Sequence, residues 1–253
     1  MSGSIVVQTR GEVLDSAREY VRRQLATFVR RLSDRLPDQM SESSSPGRVR
    51  LTAFARPSAP VPALVQANLE LGGRAVRAQV AAAFFAEASR LLRARLRDQI
   101  ALLTGPRQPR RWPQDIAPLH ARVQPVGQRE IVRRKCYPLA CCTVEEAALT
   151  MDLMDYDIHL FVDVDTGEDS VVYRVGPTGY RLARLSLMAP PTTPTTVPLT
   201  INVHPVPTET PPQAARALGR TDLPYRFFRD RNTGRGTVLY RRYDGHYGQV
   251  GPA

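Results

Sequence analysis

Cys136, Cys141 and Cys142 lie close together in the chain, and His159 follows them. A thiolate beside an imidazole makes a nucleophile, and clustered Cys and His can hold zinc, so chemistry is sought here first. The spacing supports neither. There is no C-x-x-C pair and the four histidines (His120, His159, His204, His246) are scattered, which favours structural thiols. "TGRG" at 233–236 has the glycines of a phosphate loop but lacks the Lys-Ser/Thr and the following helix, so it reads as a hairpin turn. Asp163, Asp165 and Asp169 flank another turn without the ligand spacing or terminal Glu of a calcium loop. The expectation is no enzyme, no cofactor and no metal.

The residues that can do something collectively are the arginines. The 253-residue chain carries a net charge of +11, and Lys135 is the one lysine among its 35 basic residues. Excess positive charge calls for an anionic partner such as nucleic acid, and guanidinium groups bond phosphate bidentately. The charge is organised along the chain. Residues 130–188 hold six bases against ten acids, whereas 189–253 hold eight bases against four acids. The candidate cations for such a partner are Arg22, Arg23 and Arg30, then Arg74 and Arg77, then Arg90, Arg93 and Arg97. Arg107, Arg110 and Arg111 would add phosphate contacts from a linker.

Positioning those cations requires regular elements. "SIVVQTR" (4–10) reads as a strand, and Leu14, Ala17, Val21, Leu25, Phe28 and Leu32 then mark the apolar stripe of a helix. "VRLTAFAR" (49–56) and "LVQANLEL" (64–71) alternate as strands, Gly72-Gly73 turns the chain, and "RAVRAQV" (74–80) returns. From Ala82 to Leu103 the period is helical again, with Phe84, Phe85, Ala88, Leu92, Leu96 and Leu103 inside. Arg22, Arg23 and Arg30 lie off the first stripe, and Arg90, Arg93 and Arg97 lie opposite the second. Residues 1–104 are therefore expected to form a β-α-β-β-β-α domain with two helices on one face of the sheet. Residues 105–129 read as a basic, Pro-rich linker.

The remainder repeats itself. Residues 135–183 align on 202–250 at a constant offset of 67 without a gap, with 13 identities in 49 positions. The capping logic repeats as well: Thr143-x-x-Glu146 becomes Thr210-x-x-Gln213, with Pro211 at the first helical position. The expected organisation is two tandem small α+β modules, 130–188 and 202–253, joined by a stiff Pro/Thr tether over 189–212. A module so small cannot bury its own rings, so Phe161, Tyr173, Phe228, Tyr240 and Tyr247 are assigned to a surface between the modules.

"EIVRRKCYPLACCTVEEAALTMDLMDYDIHLFVDVDTGEDSVVYR" and "YRRYDGHYG" resemble the C-terminal domain of long-form bacterial ribosome hibernation-promoting factors. The doubled module resembles the actinobacterial, dormancy- or hypoxia-associated branch. The resemblance implies binding to the small ribosomal subunit and its rRNA near the decoding centre, where the factor blocks messenger and transfer RNA under stress. In long forms it also implies that C-terminal modules of two factors pair and join two ribosomes. Two modules in one chain instead suggest pairing within the chain and single silenced ribosomes. The alternatives are a ribosome-dimerising factor, and a protein-interaction adaptor or transcription modulator with incidental charge. Sparse cysteine and an N-terminus without an apolar run lead to an expected cytoplasmic location away from membranes, with any redox role of Cys141 and Cys142 left open.

Overall fold

The computed structural model describes residues 5–33, 47–53, 63–104, 125–177, 179–186 and 188–253. Arg107, Arg110 and Arg111 lie outside the described residues. The fold is α+β, with four α-helices and three mixed sheets among the described residues, in two compact units drawn mainly from 1–107 and 108–253. No helix among the described residues is long and apolar enough to cross a membrane.

In the first unit the order is β1 (Ile5–Arg10), α1 (Asp15–Ser33), β2 (Gly47–Ala53), β3 (Ala63–Leu71), β4 (Arg74–Ala82) and α2 (Phe85–Thr104). The strands lie in sequence order, β1 parallel to β2 and the others antiparallel. Gly72 and Gly73 both have positive φ, 55° and 73°, the conformation a two-residue hairpin turn demands. Alternation dictates which face is buried: Val49 and Leu51, then Val65, Ala67 and Leu69, then Val76, Ala78 and Val80 are all buried. Helix α1 packs on β1 and α2, and α2 packs on β3 and β4. Val21 and Leu25 of α1, with Ala88, Leu92, Leu96 and Ile100 of α2, complete the core.

Two expected core residues lie elsewhere. Leu14 and Phe84 are 75% and 73% exposed. Each immediately precedes its helix, and its carbonyl accepts the first helical N–H, from Arg18 and Ala88 respectively, both at 3.0 Å. A capping residue has non-helical backbone, so its side chain leaves the stripe that the spacing implied.

The second unit contains β5 (Ile131–Tyr137), β6 (Cys141–Cys142), α3 (Val144–Leu153), β7 (Ile158–Asp163), β8 (Asp169–Val175) and β9 (Gly179–Arg184). It continues with β10 (Leu199–Ile201), β11 (Thr208–Glu209), α4 (Pro211–Gly219), β12 (Tyr225–Asp230), β13 (Gly236–Arg241) and β14 (Tyr247–Pro252). From β6 to β8, each element has a counterpart starting 67 residues later. Both helices start on a capping box. Thr143 N–H donates to Glu146 at 2.9 Å while Glu146 N–H donates to Thr143 Oγ1 at 3.2 Å, and Thr210 N–H donates to Gln213 at 2.8 Å.

The strand order is β10-β9-β8-β7-β6 in one sheet and β11-β12-β13-β14-β5 in the other. Strand β5, which precedes the first set, therefore lies beside β14 of the second, with Val250 opposite Lys135. Strand β10, the counterpart of residues 132–134, lies beside β9 of the first, with Leu199 opposite Tyr180. The expected stiff tether is thus partly strand, and Val197, Leu199 and Ile201 pack on the first sheet's helix-side core. Those three residues alternate as a strand does, a pattern masked by the surrounding Pro and Thr. Pro198 is tolerated because β10 is an edge strand.

Candidate nucleic-acid interface

On α1, Arg22, Arg23 and Arg30 are exposed and turned away from Val21 and Leu25. Arg22 is not available in the same way as the others. It forms a 2.8 Å pair with Glu19 one turn earlier, and the Arg22 guanidinium draws the Glu19 carboxyl below its ordinary pKa. Arg23 and Arg30 have no carboxylate partner among the described residues. On α2, Arg90 and Arg97 are exposed, but Arg93 is half-buried, and its Nε is buried without a hydrogen-bond partner among the described residues. The expected stripe of three is therefore two outward guanidinium groups and one flanking group.

Arg74 opens β4 at the hairpin and is exposed, whereas Arg77 is half-buried and donates to Gln79 on the same strand face. Arg74 has the parity of Val76 and lies on the helix side of the sheet, opposite Leu71, whereas Arg77 lies on the sheet face away from the helices and is separated from their cations. Arg48 and Arg50 share that open face and are exposed. They were not singled out, although alternation in β2 places them opposite Val49 and Leu51.

The second unit buries apolar residues on both sides of its sheets. One cluster lies under α3, with Val144, Ala147, Met151, Phe161, Tyr180 and Leu182, and another under α4, with Ala214, Leu218, Phe228, Leu239 and Tyr247. A third joins Leu160, Val171 and Ala183 of one sheet to Val238 of the other, flanked by Tyr173, Tyr225 and Phe227. The assignment of Phe161, Phe228 and Tyr247 to a surface between the sheets is therefore corrected: they face the helices. Neighbours in a strand point to opposite faces, so Leu160 takes the seam and Phe161 cannot. Tyr173 does face the seam, its ring edge-on to Tyr225 with centroids 5.8 Å apart. Tyr240 lies two residues from Val238 and shares its face, its ring packed where Gly248 has no Cβ.

At one end of the seam is a polar contact that sequence reasoning missed. Asp169 accepts from Arg235 Nε at 2.7 Å, from Arg235 Nη2 at 2.9 Å and from the Gly236 N–H at 2.7 Å. Burial acts to raise the Asp169 carboxyl, but Arg235 and the Gly236 N–H outweigh it and leave the pKa below its ordinary value. A Cβ on Gly236 would lie 2.7 Å from Asp169 Cβ and 3.1 Å from the Phe227 ring. The signal was present in the repeat. At offset 67, Glu168 aligns with Arg235 and Asp169 with Gly236, an exchange of charge and of size at the same step.

The residues considered for chemistry are spent on structure. Burial pushes the Cys142 thiol up to about 11, with Glu146 adding to the effect, and burial takes His159 down to about 4. A protonated thiol and an imidazole stacked between Tyr156 and Phe161 make a poor nucleophilic pair. Asp163 is buried against Arg184 at 2.7 Å, Asp165 accepts the Thr192 N–H at 2.9 Å, and Asp169 holds Arg235. No group of three potential metal ligands occurs among the described residues.

Residues 127–182 match the family model described as "Sigma 54 modulation/S30EA ribosomal protein C terminus". The chain is 41% identical over 212 residues to a "Dormancy associated translation inhibitor" of Mycobacterium tuberculosis, present in two strains. That alignment covers 81% of this chain and 76% of the relative. A solved ribosomal subunit interface protein from Coxiella burnetii aligns 96% of its length with 39% of this chain, at 17% identity and a TM-score of 0.29. That likeness is too weak to carry an argument.

Proposed function

The chain belongs to the family of long-form ribosome hibernation factors, and from that premise we propose that it silences single ribosomes in dormant or stressed cells. The first unit binds rRNA of the small subunit near the decoding centre, where it excludes messenger and transfer RNA. Arg23, Arg30, Arg90 and Arg97 are its leading phosphate ligands, because each is exposed and none is paired with a carboxylate among the described residues. Arg22 contributes less, since a phosphate must first displace Glu19.

The second unit pairs its two modules within one chain, which removes the surface by which such a factor would join two ribosomes. The observation that carries this reading is the reciprocal strand placement, β5 beside β14 and β10 beside β9, with Asp169 seated against Gly236. Each sheet is completed by a strand leading into the other module. On this reading each module already holds its complement, and a second factor would have to displace a strand supplied within the chain.

The test is a sucrose gradient of purified ribosomes with the full chain, each fraction probed for the protein. Co-migration with single ribosomes and no ribosome-dimer peak is the expected result. A dimer peak overturns internal pairing but keeps silencing. Protein left at the top at low salt overturns ribosome binding altogether and favours an adaptor role. Arg23, Arg30, Arg90 and Arg97 changed together to Glu are expected to release the protein from small subunits.

A further inference from the structure

We propose that the second unit carries a phosphate-binding groove of its own, built by Arg216, Arg220 and Arg231, which takes RNA backbone. The proposal rests on the ribosome-binding reading and adds a second anchoring point to it. Between α4 and the β11–β12 edge runs an open groove of about 290 Å³, lined by these three arginines with Thr208, Glu209 and Gln213. Arg216 on α4 and Arg220, the residue that caps its C-terminus with helical backbone, stand four residues apart and so share one face, both exposed. Arg231 follows directly after β12, exposed, with Nη2 donating to the Thr208 carbonyl at 3.4 Å. None of the three pairs with a carboxylate among the described residues.

The one carboxylate lining the groove is already engaged. Glu209 accepts two bonds from Arg226, at 2.6 and 2.7 Å, so it does not cancel the three guanidinium charges. The repeat supplies an internal comparison. At offset 67, Arg216, Arg220 and Arg231 align with Leu149, Leu153 and Val164. The same elements therefore form with apolar residues at all three positions, and the fold does not require cations there. Three arginines converging on one groove, in the module that is basic where its counterpart is acidic, fit an anionic ligand.

The chemistry favours RNA over an acidic peptide. The lining holds no aromatic and no large apolar side chain, so it lacks the desolvated anchor that protein interfaces use. Guanidinium groups spaced along a shallow groove suit successive phosphates and position RNA without reading its sequence.

The experiment compares the full-length chain with a variant carrying Arg216→Gln, Arg220→Gln and Arg231→Gln. The control is Arg133→Gln with Arg134→Gln, exposed cations on β5 away from the groove. Affinity for purified small subunits is measured between roughly 50 and 200 mM salt. The groove variant is expected to bind about 10- to 100-fold more weakly, with its log–log salt slope shallower by about 2, as roughly 0.7–0.9 is lost per phosphate contact. The control is expected to stay within about threefold of the parent. An unchanged slope, or equal weakening by the control, overturns the groove while leaving ribosome binding in place. Failure of the parent chain to bind small subunits overturns the functional reading and the groove with it. Melting temperatures matching the parent's separate both results from misfolding.

Discussion

Gly236→Ala is a one-carbon change with a calculable effect on the seam. The new Cβ would meet Asp169 Cβ at 2.7 Å, and Phe227 Cε2 and Cζ at 3.1 and 3.3 Å. Asp169 Cβ is attached directly to strand β8 and cannot swing aside as a flexible tip would, so the sheets must part slightly. Overpacking of this kind costs about 1–3 kcal/mol. Parting also stretches the 2.7 Å bond from the Gly236 N–H to the Asp169 carboxylate, a charge-assisted contact worth about 1.5–3 kcal/mol when whole. Against this stands the gain of about 0.5–1 kcal/mol for replacing glycine within a strand. The net is about 2 kcal/mol of destabilisation, or roughly 6–10 °C in melting temperature for a unit of this size. Gly236→Asp, which installs the first module's residue, is expected to cost more because two carboxylates then face each other. The mirror variant Glu168→Arg, Asp169→Gly, Arg235→Glu, Gly236→Asp exchanges both ends of the contact and is expected to recover most of that loss. Differential scanning calorimetry of the full chain provides the readout. A melting temperature for Gly236→Ala within about 2 °C of the parent, or a mirror variant no more stable than Gly236→Asp, would refute the steric and electrostatic argument.

His159 carries a pH dependence. Its folded pKa is about 4, below its ordinary 6.5, so the unfolded chain binds the proton more readily and stability falls as pH drops from about 6.5 toward 4. From neutrality to pH ~5 the loss is about 2 kcal/mol, read as a lower urea midpoint, and His159→Phe is expected to flatten that slope. Cys142, with its thiol pushed up to about 11, is expected to react with a thiol reagent at mildly alkaline pH far more slowly than exposed Cys136 and Cys141. Three equally fast thiols would contradict the burial argument. Arg184→Leu strands the buried Asp163 carboxylate that Arg184 Nε holds at 2.7 Å, an expected loss of about 3–5 kcal/mol by denaturant titration. A loss below about 1 kcal/mol would mean that the carboxylate finds water or another donor.

What the sequence displays most openly is what is encoded locally. Period-two and period-3.6 runs marked the strands and helices of the first unit, and the Thr-x-x-Glu/Gln boxes marked the starts of α3 and α4. Leu14 and Phe84 were misread because a capping residue keeps the helical spacing while leaving the helical conformation. The partner of β5 was hidden for a different reason. Ile131 pairs with Tyr247, far along the chain, and nothing local in "IVRRKCY" chooses between its own module's edge and the other's. The aromatic assignment failed by one position along the strand. Phe161 and Phe228 are as apolar as the seam requires, but alternation gives the seam to Leu160 and Phe227.

The charge exchange at 168/169 against 235/236 bears directly on why two modules would reside in one chain. In a pair of identical modules related by a two-fold axis, position 169 meets the counterpart of 236 on its partner, which is again an aspartate. Two carboxylates then face each other at close range, and position 168 offers another acid rather than an arginine. Duplication frees the two sides to diverge, so one can keep Asp169 while the other becomes Arg235-Gly236. On the proposed reading, that divergence penalises pairing between like modules, which is specificity by repulsion as well as by attraction. Covalent linkage adds to it, because a tethered partner is present at an effective concentration of roughly millimolar. A second factor in the cell would have to exceed that concentration, and offer the opposite module, before it could compete. On the proposed reading, internal pairing follows from the chain's own asymmetry, and single silenced ribosomes are its expected consequence.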